Sequence, residues 1–364
     1  MTKIYSVQKR HYNKLANFLS NFEIEIVTKK EKSDVFWYNR FTLWWDNNPA
    51  FNEDLLRGLI LDCDGKIEGF YGFIPSFFQL SGEQIIVFNG TTWMVNKKFR
   101  GINGLKLIVR MIDYTKDSIY FATSSVGSIA EMHLKFGFKT IFSEERLKTY
   151  YVFINPWNIF LQKLPKLLFF RFLLTLFYPI IVLYRLIINL MIETAREYYE
   201  TRIIEKADGL FDELWDSTKI KFQNTNVRTS EVINWYCSNN GVGNNILFGC
   251  YLNNRLLGYM LCMSETENNK LKKLTVMDIW GQIDDDRVVC SLLNKCLKYG
   301  VENDYDLVLL PVFHEKIRSF SRKFFFNSRV SSGSYLFKAK EKVLNKIGKE
   351  QSYFTYLQGD WGLF

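Results

Sequence analysis

Thr91-Thr92-Trp93-Met94-Val95-Asn96-Lys97-Lys98-Phe99-Arg100-Gly101-Ile102-Asn103-Gly104-Leu105 is a β-type run that enters a basic, glycine-containing turn and leaves it as a helix. The apolar spacing of Leu105, Ile108, Val109 and Ile112 predicts that helix over 105–115. A strand-turn-helix unit of this kind aims free backbone N–H groups and the positive end of the helix at an anion. Lys97, Lys98 and Arg100 add positive charge, while Gly101 and Gly104 leave room for a phosphate against the backbone. A pyrophosphate fits that chemistry; read alone, the same turn is equally a strand-to-helix connection with solvated charges.

Working outward, 59–63 and 67–74 flank Asp64-Gly65, a strong hairpin signal, and a second strand pair at 77–80 and 84–88 turns at Ser81-Gly82. Downstream, 118–122 reads as a strand and 128–136 as a helix stopped by Gly137. Strands, strand-turn-helix, then strand-helix is an α+β pattern with one phosphate-type turn near its middle. From about residue 202 the pattern returns. Strands at 246–252 and 256–262 flank Asn253-Asn254, followed by a strand at 274–280, a helix at 288–299, a strand at 307–310 and a helix at 315–324. An internal repeat of one α+β unit is the simplest account.

Between the copies, 157–192 changes character. Leu167-Leu168-Phe169-Phe170, Phe172-Leu173-Leu174 and Ile180-Ile181-Val182-Leu183 are apolar all round a helix, the charges Lys163, Lys166, Arg171 and Arg185 are positive, and no acid precedes Glu193. Arg171, Pro179 and Arg185 interrupt a membrane span. Spanning is therefore the disfavoured reading of three, beside a helix pair buried against protein and an interfacial anchor, and the positive charge favours acidic headgroups. The expected domains are therefore 1–156, an apolar basic helical insertion at 157–200, and 201–364.

A chain of 364 residues, 48% hydrophobic and 23% charged, supports two cores, and 17% aromatic content with only 6 Pro excludes a disordered or collagen-like polymer. A net charge of +9 favours anionic partners. The absence of RNP-type aromatics, zinc-finger spacing and long Lys/Arg blocks ranks nucleic acid low. With no CxxC pair among the cysteines and only 3 His, no metal site is expected. The start Met1-Thr2-Lys3-Ile4-Tyr5-Ser6 has no apolar signal core, so the expected location is cytoplasmic, with a peripheral position on the inner face of the cell membrane if the insertion is an anchor.

Arg100-Gly101-Ile102-Asn103-Gly104-Leu105, followed in order by His133-Leu134-Lys135-Phe136-Gly137-Phe138, resembles motifs A and B of the GCN5-related N-acetyltransferase family. Motif A there is Arg/Gln-x-x-Gly-x-Gly/Ala after a strand; here Asn103 and Leu105 stand where its two small residues fall. The resemblance implies an acyl-CoA N-acyltransferase fold in two copies. It also implies acetyl-CoA as donor, held by Trp93, Met94, Val95, Lys98, Phe99, Arg100, Gly101, Ile102, Asn103, Gly104 and Leu105, and no metal. It puts His133 where many members have a tyrosine that protonates the departing thiolate, an exchange imidazole tolerates near neutral pH. No general base is singled out; Glu68, Glu83, Asp113 and Glu131 qualify by type.

The aromatic stretch Phe36-Trp37-Tyr38-Asn39-Arg40-Phe41-Thr42-Leu43-Trp44-Trp45-Asp46-Asn47-Asn48-Pro49 is similar to that of tandem-domain members from bacterial surface-polysaccharide genes. Either it stacks on a sugar face or it is a buried aromatic helix. The implied acceptor is a small-molecule amine, an amino sugar in cell-surface glycan assembly. The second copy has Asp284-Asp285-Asp286 in its equivalent turn, which repels a diphosphate and assigns coenzyme A to the first copy. Competing readings are a non-catalytic membrane-associated scaffold and an aminoacyl-tRNA-dependent transferase.

Overall fold

The computed structural model describes residues 2–22, 33–141, 148–163, 176–238, 244–266, 271–311, 314, 317–320, 327–330, 334–344, 347 and 352–360. In chain order the strands are β1 Thr2–Ser6, β2 Gly58–Cys63, β3 Lys66–Leu80, β4 Glu83–Val95, β5 Tyr120–Ser125, β6 Lys139–Thr140, β7 Lys148–Phe153 and β8 Glu200–Ile204. They continue with β9 Asn224–Asn226, β10 Asn244–Leu252, β11 Arg255–Thr266, β12 Lys272–Gly281, β13 Leu307–Pro311, β14 Asn327–Val330, β15 Ser334–Lys338 and β16 Ser352–Tyr353. The helices are α1 Tyr12–Ser20, α2 Asp34–Phe41, α3 Ile102–Tyr114, α4 Gly127–Lys135 and α5 Pro156–Lys163. They continue with α6 Tyr178–Thr194, α7 Gly209–Thr218, α8 Ser230–Cys237, α9 Asp286–Glu302 and α10 Glu341–Leu344.

The chain forms two compact units, each assembled from separated segments. One takes Met1–Ser143, Lys219–Val242 and Ser332–Phe364; the other takes Glu144–Thr218 and Gly243–Ser331. These are not the consecutive stretches 1–156 and 201–364 expected from the repeat, because strand pairing recruits β15 and β16 into the first sheet and β7 into the second.

In the first unit the sheet runs β1-β2-β3-β4-β5-β15-β6, with β9 on β3 and β16 on β9. Its hairpins turn at Asp64-Gly65 and Ser81-Gly82, all four residues at positive φ, as the tight turns that match strand twist require. Where separate strand pairs were expected, β3 runs unbroken for 15 residues through Pro75. Both of its faces are covered, so its apolar run does not alternate. One face carries Leu59, Leu61, Phe73 and Phe88 against Leu107, Ile108 and Met111 of α3. The other packs Phe78, Val87, Ile119 and Phe121 with Phe354. Leu336 joins the first cluster and its neighbour Phe337 the second, the two-residue alternation of a strand feeding both sides.

The second unit repeats the theme with β14-β7-β13-β12-β11-β10-β8. The parallel pairs β4 with β5 in the first sheet and β12 with β13 in the second are the crossovers spanned by α3 and α9; β16 also runs parallel to β9. The helix expected at 315–324 lies largely outside the described residues, as does the part of the insertion at 164–175. Within the insertion, α6 packs Ile188 and Ile192 inward but leaves Ile180, Leu183, Leu186 and Leu190 57–62% exposed. No helix among the described residues is long and apolar enough to cross a membrane.

Candidate active site

The turn that follows β4 begins with Asn96, whose side chain donates to Glu68 Oε2 at 2.5 Å. A 3-10 turn at Lys97–Phe99 follows, and Arg100 donates from Nε to the Val95 carbonyl at 3.0 Å. Gly101 then takes φ 81°, ψ −124°, with nothing within 4 Å of where a Cβ would stand. The helix α3 starts at Ile102, three residues before the apolar spacing predicted, so Ile102, Asn103 and Gly104 form its first turn. No side chain caps that turn. Lys97, Lys98 and Arg100 are exposed beside it, and Gly104 is buried against the Trp93 ring. A groove of about 470 Å³ runs along the first half of α3, lined by Ile102, Asn103, Leu105, Lys106 and Arg110 against Ile4 and Leu61.

The parallel pairing of β4 and β5 is brief. Phe88 pairs with Tyr120 and Asn89 with Phe121, and beyond them the two strands no longer pair with each other; β4 stays on β3 and β5 on β15. Thr92 adopts φ 47° near this point, an unusual conformation for a β-branched residue. The result is a fork, with Thr91 to Val95 on one prong and Thr123 to Ser125 on the other.

His133 on α4 is 2% exposed. Its Nδ1 lies 2.9 Å from the Ile129 carbonyl, which assigns the proton to Nδ1, and its Nε2 lies 3.4 Å from the Tyr71 hydroxyl. Burial holds its pKa below the usual value, against the opposing effect of the Ile129 carbonyl. The ring is therefore neutral near pH 7, with an acceptor nitrogen facing Tyr71. Tyr71 in turn bonds the Tyr120 hydroxyl and stacks on Trp93 at 5.5 Å. Burial raises the pKa of both tyrosines, which stay protonated through the neutral range. Trp93 Nε1 has no acceptor among the described residues.

Sequence reasoning missed the carboxyl at this fork. The last described segment crosses β4 and β5 where they part: Gly359 N–H donates to Asn89 Oδ1 at 3.0 Å, and Thr123 Oγ1 donates to the Gln358 carbonyl at 3.2 Å. Asp360, next along, is 1% exposed. Burial raises its pKa to about 6; the hydroxyls of Ser124 and Thr91 and the positive charge of Arg40 oppose the shift. Those hydroxyls do not complete well-formed hydrogen bonds with it, and neither carboxyl oxygen has a hydrogen-bond partner among the described residues.

The acids that sequence nominated are elsewhere or engaged. Glu68 secures Asn96, Asp113 faces solvent beside Lys116, and Glu83 and Glu131 are exposed. In the aromatic stretch, Phe36, Trp37, Phe41, Trp44 and Trp45 are buried, which settles it as a packed helix. Those rings enclose the Arg40 guanidinium, 4.5 Å from Phe36 and 5.8 Å from Trp44. A lone arginine among aromatics was the one local hint of a buried charge; Asp360 offered none.

In the second unit, Asp285 occupies the equivalent helix start and itself accepts the Arg287 N–H at 3.0 Å, while Arg287 pairs with its carboxylate at 2.8 Å. This end of α9 is already capped and negatively charged.

The architecture is the acyl-CoA N-acyltransferase fold in two copies, with an apolar helical insertion. Among solved structures, a GCN5-related N-acetyltransferase from Anabaena variabilis is similar at TM-score 0.57 and 10% identity, over 93% of this chain and 72% of that one. The N-myristoyltransferase of Saccharomyces cerevisiae with bound myristoyl-CoA is similar at TM-score 0.55 and 12% identity, over 92% of this chain and 82% of that one. A GCN5-related N-acetyltransferase from Kribbella flavida follows at 0.54 and 9%, over 93% and 70%. No family model and no curated protein matches the sequence.

Proposed function

We propose that the protein is an acyl-CoA-dependent N-acyltransferase whose donor binds in the first unit and whose acceptor is an amine. The observation that carries this reading is the fork between β4 and β5, which opens beside the uncapped, basic start of α3. Free N–H groups there, with Lys98 and Arg100, suit a diphosphate; Trp93, Met94 and Val95 offer backbone to a pantetheine arm; Phe99, Gly101, Ile102, Asn103, Gly104 and Leu105 complete the cradle. Backbone dipoles fixed before the donor arrives supply electrostatic stabilisation without reorganisation. Acetyl is the preferred acyl group and an amino sugar of cell-surface glycan assembly the preferred acceptor, both on the motif resemblance. His133 and Tyr71 serve the leaving sulfur: Tyr71 carries the proton, and His133 Nε2 orients it. The exposed apolar side of α6 supports contact with a membrane surface on the cytoplasmic side.

Calorimetric titration with acetyl-CoA and with myristoyl-CoA tests the donor. Saturable binding of one of them by the wild-type chain, weakened at least about tenfold by Gly101→Val, is expected, since a β-branched residue does not tolerate that φ. Absence of binding to both removes the proposal.

A further inference from the structure

We infer that the Asp360 side chain is the general base for the acceptor amine, a role that rests on the donor site proposed above. Three observations converge on it. The segment that holds Asp360 is anchored to both prongs of the fork, through Asn89 of β4 and Thr123 of β5. The approach is tight enough to demand glycine before it. At Gly359, φ is 94° and a Cβ would stand 1.7 Å from Thr123 Oγ1. Finally, both carboxyl oxygens are buried and have no hydrogen-bond partner among the described residues. A structural carboxylate at this depth is ordinarily saturated with donors, whereas one that must take a proton from a substrate needs a vacant lone pair.

The charged and titratable groups facing it are Arg40 from α2, Tyr71 from β3, Tyr120 from β5 and Tyr335 from β15. The three phenols are neutral at physiological pH, and Arg40 is the only charge among these four. Above pH 6 the carboxyl is ionised and competent.

In the step it serves, Asp360 takes a proton from the ammonium form of the acceptor, and the freed nitrogen lone pair attacks the thioester carbonyl carbon as the C–N bond forms. The C–S bond then breaks, and the sulfur leaves with its electron pair and takes a proton from Tyr71. Tyr71 regains a proton from the now positively charged nitrogen and Asp360 returns its own to solvent, so no other reactant is consumed.

The test uses the full chain, acetyl-CoA and methylamine, an acceptor small enough for any cleft and protonated at neutral pH. Coenzyme A release is followed against pH beside acetyl-CoA affinity. The wild type should accelerate aminolysis with an acidic limb near pH 6. Asp360→Asn should bind acetyl-CoA within twofold of wild type yet lose about a hundredfold in rate, and lose the limb. Thr91→Val, which removes a hydroxyl that lowers the carboxyl's pKa, should move the limb to higher pH even if Asp360→Asn fails to fold. Failure of the wild type to bind acetyl-CoA and myristoyl-CoA alike overturns the donor site and the base together; where only myristoyl-CoA binds, it serves as the donor in the same assay. Binding without accelerated aminolysis, an Asp360→Asn rate within threefold of wild type, or a limb unmoved by Thr91→Val overturns the base alone.

Discussion

Asp360 is a carboxyl whose ordinary pKa of 3.8 is carried to about 6 by burial, so in that interval the folded chain binds a proton that the unfolded chain does not. Folding stability contributed by this group therefore falls as pH rises from 4 to 6, the reverse of a salt-bridged aspartate. Above pH 6 the ionised form costs about 3 kcal/mol. Asp360→Asn should accordingly unfold at higher urea concentration than wild type at pH 8, and the advantage should vanish by pH 4. Equal midpoints at pH 8 would show the carboxyl to be well solvated. His133 acts in the other direction: its depressed pKa means that stability is lost as pH falls below 6.5, while the unfolded chain takes up a proton first. Gly359→Ala should detach the segment from Thr123, and with it abolish the acidic limb of the rate profile; an unchanged limb would mean that Asp360 acts from another position. None of this was legible in the residues themselves. Asp360 sits among aromatic and apolar residues with no motif around it, and its chemistry arises only because Asn89, 270 positions from Gly359, bonds that neighbour.

At the scale of elements the local signals were good guides. Asp64-Gly65, Ser81-Gly82 and Asn253-Asn254 all form the tight hairpins their types demand, since these residues tolerate positive φ. The two crossover helices begin in opposite ways. No side chain caps the first turn of α3, while α9 spends an N–H on Asp285, whose carboxyl Arg287 holds down to about 2. Asp285→Ala should cost about 1 kcal/mol of stability, read by denaturation, without creating acetyl-CoA affinity in a chain whose first site carries Gly101→Val. On α6 the exposed leucines are the testable feature. Sedimentation with acidic vesicles should carry down the wild type, and Leu183→Glu with Leu190→Glu should leave it in the supernatant; loss of neither or retention of both would assign this face to protein. The helix start at Ile102 was missed because the first turn of α3 is polar and glycine-rich, so hydrophobic periodicity registers only from its second turn.

For the whole molecule, each compact unit depends on segments distant in sequence. Truncation after Val330 removes β15, β16 and Asp360 from the first unit, and residues 1–156 alone lack β9 as well. Both fragments should lose the near-ultraviolet dichroism of packed aromatics, because Phe337 and Phe354 close one face of the sheet; a native-like spectrum from 1–156 would restore the consecutive division. Sequence by itself determined the α+β class, the strand-turn-helix unit at Thr91 to Leu105, the repeat and the acidic turn in the second copy. Those follow from periodicity, turn chemistry and charge, which act over a few residues. Only the tertiary structure decided which strand completes which sheet, that the aromatic stretch is core around Arg40, and that a carboxyl from the far end of the chain stands in the fork. Strand pairing and burial are long-range, and a residue's pKa belongs to its surroundings, which no local pattern encodes.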